Sequence, residues 1–80
     1  MNIMVRLKNI KIGDKFAEAD FYPENSPTCG HIVVDLASEE IDSYSGVPGY
    51  GASYLAHSRQ GLVRLAKEKS SQTEYLMMWY

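Results

Sequence analysis

Eighty residues, 45% hydrophobic and 22% charged, suit one domain around one core and exclude both a disordered chain and a two-domain protein. A formal charge of −2, from 8 Lys+Arg against 10 Asp+Glu, excludes a densely basic phosphate-binding surface. The single cysteine, Cys29, excludes an intrachain disulfide framework, and no stretch approaches the roughly eighteen apolar residues of a membrane span. With no apolar leader at the start, these features point to a cytoplasmic protein without membrane contact.

In chain order, residues 3–8 alternate, with Ile3, Val5 and Leu7 on one side and Met4, Arg6 and Lys8 on the other. Ile10 and Ile12 continue with the opposite parity, so a bulge is expected near Lys8-Asn9. Gly13-Asp14 reads as a two-residue hairpin turn that sets Ile12 opposite Lys15 and Ile10 opposite Ala17. The return strand, 15–22, turns Ala17, Ala19 and Phe21 towards the core. Two prolines, Asn25, Ser26 and Gly30 mark 23–30 as a loop. Residues 31–36 form a strand with Ile32, Val34 and Leu36 on one face, and 41–44 return as a shorter edge strand. A second glycine-rich loop, 45–51, leads into a helix predicted over 52–69. Its apolar side carries Leu55, Ala56, Leu62, Val63 and Ala66 at helical spacing. Residues 73–80 form the last strand.

The elements therefore run β-β-β-(β)-α-β: an α+β domain spanning 1–80, with one helix on one face of a mostly antiparallel sheet of four to five strands.

Four features bear on function. The last strand is apolar on both faces, with Tyr75, Met77 and Trp79 on one and Leu76, Met78 and Tyr80 on the other. A strand covered by one helix needs a single apolar face, so the other is expected to meet a partner or a covering segment of the same chain. Aromatic residues and Met are enriched in interface cores. Tyr75, Met77 and Trp79 are accordingly the candidate interface for a homodimer or a protein partner. Arg59 falls within the helix's apolar arc, where a guanidinium is expected to snorkel to the sheet edge or to pair with Glu18, Asp20 or Asp35. The loop and helix start offer free backbone N–H groups to an anion or nucleic acid, with Gly49, Gly51, Ser53, His57, Arg59 and Arg64 as candidate contacts. The loop matches neither the G-x-x-x-x-G-K-[ST] nor the G-x-G-x-x-G pattern, and Tyr50 and Tyr54 there can stack on a base or pack over the helix end. Cys29, His31, His57 and Asp35 lack the short spacing of a metal box, and no arrangement in the sequence assembles a catalytic group, so a non-catalytic module without metal or cofactor is expected.

Residues 17–23, a strand running into a loop, residues 30–36, a glycine followed by an apolar strand, and the helix at 52–69 resemble the small partial ribonuclease-H-type domain of HicB-like antitoxins, as a pattern over roughly 15–80. The resemblance implies the α+β fold read from the residues and, as a function, the binding of a partner toxin.

Overall fold

The computed structural model describes residues 3–79, the side chains of Ile3 and Trp79 excepted. Strand β1 (Ile3–Ile12) changes its inward parity halfway along. Val5 and Leu7 point into the core, and after the bulge so does Ile10. The pairing with β2 (Phe16–Pro23) shifts between Lys8 and Lys11, where Asn9 takes a φ of 54°. Asn tolerates this left-handed conformation better than most residues, and its side-chain amide donates to Asp20 Oδ2 at 2.9 Å. The expected bulge is present, and it keeps both halves of a ten-residue strand useful to one core.

The turn that follows is wider than the two-residue hairpin expected. Ile12 pairs with Ala17 rather than Lys15, and Gly13 N–H donates to the Phe16 carbonyl at 2.8 Å. The slip of two residues preserves parity, so Ala17, Ala19 and Phe21 still face inwards. Strand β3 (Gly30–Asp35) buries Gly30, Ile32 and Val34, and β4 (Glu40–Ser45) closes that edge, largely exposed. Helix α1 (Ala52–Lys67) then crosses the sheet, and β5 (Glu74–Trp79) lies on the other edge, antiparallel to β1. The strand order is β4-β3-β2-β1-β5, antiparallel throughout.

The helix buries a different arc from the one its hydrophobicity marks. Ser58, Gly61, Leu62, Val63 and Leu65 are buried, whereas Ala56 is exposed. Two buried positions carry no apolar side chain, which hides them from a hydrophobic pattern. Ser58 is tolerated inside because its hydroxyl donates to the Tyr54 carbonyl at 2.7 Å. At Gly61 the helix lies so close to the sheet that a Cβ would run into Met77 Sδ and touch Leu7 Cδ1. The helix also ends two residues earlier than predicted. Lys69 takes a φ of 53°, its N–H donates to the Ala66 carbonyl at 3.1 Å, and Ser70 N–H donates to the Leu65 carbonyl at 3.0 Å. This is the Schellman stop, made here with lysine where glycine is usual.

Candidate functional site

With α1 on one side, the sheet leaves its other side open. Register places Met4 between Glu24 and Met78, Arg6 between Tyr22 and Leu76, Lys8 between Asp20 and Glu74, and Lys11 beside Glu18. The centre of this face therefore carries charged side chains of both signs, and its β5 side is apolar. Lys8 Nζ lies 5.3 Å from the centre of the Tyr22 ring.

On β5 the two faces separate. Tyr75 and Met77 pack against the core beneath the helix. Leu76 and Met78 point away from it and are 46% and 52% exposed. Of the three residues that the sequence marks as an interface, Tyr75 and Met77 are thus turned inwards, while the side chain of Trp79, like Tyr80, lies outside the described residues. Gly61 is the sequence signal for that orientation, since the gap it leaves in the helix surface receives Met77. The N-terminal strand does not fold over Leu76 and Met78 but pairs alongside them, Met4 beside Met78. Among the described residues, no other segment covers this patch.

The two sheet edges differ in chemistry. β4 carries Glu40 and Asp42, and its pairing with β3 slips between Val33 and Val34, leaving Asp42 as the extra residue. Acids and a bulge are devices that discourage further strand pairing. β5, with the sequence EYLMMW, has one charge at its first position, no proline, no lysine and no register slip against β1.

The anion candidates do not converge. Gly49 adopts a φ of 89° in the exposed loop, and Gly51 caps the helix with extended backbone and no side-chain hydrogen bond. Ser53, His57 and Arg64 follow one side of the helix, with Ser53 and Arg64 separated by about 16 Å at 1.5 Å per residue. Arg59 projects elsewhere. Its Nη1 donates to the Glu39 carbonyl at 3.0 Å, and it pairs with none of Glu18, Asp20 or Asp35. Those carboxylates belong to the open face, across the sheet from the helix; Asp20 is held there by His31 Nδ1 at 2.8 Å and by Asn9. Arg59 and Arg64 instead line a wide-mouthed depression of about 420 Å³ with Glu39, Val63 and Lys67, where Lys67 pairs with Glu39 Oε2 at 3.1 Å.

The hydrogen bonds from His31 and Asn9 hold the Asp20 carboxyl below its usual range. Cys29 is exposed, and its hydrogen bond to Tyr22 pushes that phenol up. His31 thus engages Asp20 and Cys29 engages Tyr22, while His57 stands on the helix side of the sheet. The cysteine, the two histidines and Asp35 are not brought together. Among the described residues there is no group of three or more His, Cys, Asp or Glu side chains placed to hold a metal, and no helix is long and apolar enough to cross a membrane.

Comparison with protein families, curated proteins and solved structures returns no match to this chain.

Proposed function

We propose that this domain is a non-catalytic interaction module that self-associates, or takes up another protein, through β5. The observation that carries the proposal is the exposure of Leu76 and Met78 on a strand whose inward face is already satisfied by the helix. Two large apolar side chains beside Met4 form a contiguous patch at the edge of the sheet, and such patches mark contact sites in soluble domains. A contact there shields apolar surface and leaves the charged side chains of the sheet centre in water.

Light scattering across a wide concentration range tests this. The wild-type chain is expected to exceed its monomer mass of 9.0 kDa, and a Leu76→Lys/Met78→Lys variant is expected to return to it while keeping its circular dichroism. Equal masses for the two proteins at every concentration would show that β5 does not drive self-association.

A second reading, anion or nucleic-acid binding, is supported by the depression lined by Arg59, Arg64 and Lys67. It is the weaker one, because Glu39 already occupies Arg59 and Lys67 and the chain carries net negative charge. Oligonucleotide binding that falls steeply with salt and weakens in Arg64→Ala would favour it.

A further inference from the structure

We infer that the occupant of the β5 edge is a second copy of this chain, joined antiparallel about a two-fold axis at Met77 so that two five-stranded sheets run on as one. The inference rests on the reading of β5 as the contact strand and specifies its geometry. Three observations lead to it.

The first is the asymmetry of the edges. β4 is blunted by Glu40, Asp42 and its bulge, whereas β5 carries a single acid, Glu74 at its first position, and no register slip against β1. An edge of this kind is a template for another strand. Because β4 is closed to pairing, addition at β5 stops at two chains, and a two-fold contact is the closed solution.

The second is charge. Glu74 is the strand's only charged residue. Antiparallel pairing sends the two Glu74 carboxylates to opposite ends of the new ribbon, whereas parallel pairing in register would set them side by side, and like charges directly opposite are destabilising.

The third is the alternation of faces. A two-fold axis perpendicular to the sheet keeps both helices on one side, so paired residues must share a face. Centring on Met77 satisfies this and sets Leu76 of each copy opposite Met78 of the other. The open-face row then reads Met4, Met78, then Leu76 and Arg6 of the second copy, and the two-fold axis repeats it in the opposite sense, since Met4 pairs with Met78 and Arg6 with Leu76 within one chain. Centring on Leu76 would place Glu74 opposite Met78, a carboxylate against a thioether. Stacking the two open faces instead would bury the charged centre around Arg6, Lys8, Asp20 and Glu18.

Disulfide trapping tests the register. In a Cys29→Ser background, Leu76→Cys and Met78→Cys proteins are prepared separately, mixed and oxidised. Directly opposite residues in an antiparallel pair have Cα atoms about 4.5–5.5 Å apart, within disulfide range. Diagonal neighbours lie about 7–8 Å apart and bridge poorly. The mixed disulfide between the two variants is therefore expected to form several-fold faster than either homodimeric one. A faster Leu76→Cys homodisulfide overturns the Met77-centred register. Association by light scattering with no preference among the three products overturns edge pairing but leaves β5 as the contact. A chain that stays monomeric at every concentration overturns the second copy as occupant and self-association with it.

Discussion

Phe21 lays its ring over Gly30 on the neighbouring strand, so that a Cβ at position 30 would lie 2.5 Å from two of the ring's carbons and even closer to the Ser45 carbonyl. The two residues are register partners between β2 and β3. The absence of a side chain at 30 is what lets a fully buried phenylalanine fill the end of the core.

Gly30→Ala should therefore destabilise the fold by roughly 2–3 kcal/mol, the range of an overpacked core. One clash is with backbone, which cannot rotate away. Urea denaturation checks this. A change below about 0.5 kcal/mol, the range of ordinary surface substitutions, would mean that Phe21 and Ser45 yield freely.

Lys69→Gly should stabilise the protein by about 0.5–1 kcal/mol. Lysine at a φ of 53° carries a left-handed penalty of roughly 1–2 kcal/mol, partly offset by the extra unfolded-state entropy of glycine. The Schellman hydrogen bonds of Lys69 and Ser70 are made by backbone and survive the change. Thermal denaturation should show a rise of several degrees.

Tyr54→Phe should destabilise by about 0.5–1.5 kcal/mol. The Tyr54 hydroxyl donates to Glu24 Oε2 at 2.8 Å, and the same oxygen accepts from Met4 N–H at 3.1 Å. One carboxylate thus joins the first turn of the helix to the start of β1 and the end of β2. Burial, then the bond to Glu24, push the Tyr54 phenol up. Spectrophotometric titration of the variant should lose a late-titrating tyrosine.

Acid should weaken the fold in part through Asp20. Its carboxyl is more acidic in the folded chain, chiefly because of the hydrogen bond from His31 and then that from Asn9. Such a group stabilises fully above its unfolded pKa near about 4, and the contribution disappears as pH falls through the lower folded value. The partly exposed pair limits the effect to under about 1 kcal/mol. Asp20→Asn should flatten the acid limb of a stability–pH profile below about pH 4; an unchanged limb would assign it to other carboxylates.

The α+β class, the element order, the inward residues of β2 and the division of β3 into two faces were legible from the sequence, because alternation and turn residues act over a few neighbours at a time. So was the bulge at Asn9, since the parity change from Val5 and Leu7 to Ile10 has no other economical cause. The face of β5 that stays exposed was not. Tyr75, Met77, Leu76 and Met78 are all apolar, and nothing local ranks one pair above the other. Gly61 and Ser58 decide it by letting the helix approach on one side, and neither contributes to a hydrophobic pattern. The same holds for Arg59: its neighbours along the helix predict a strand carboxylate, while its bond to the Glu39 carbonyl depends on where the β3–β4 turn comes to rest. Local chemistry thus determined which elements form. Only the packing of the helix on the sheet, a contact between residues far apart in the chain, decided which side of the last strand remained free.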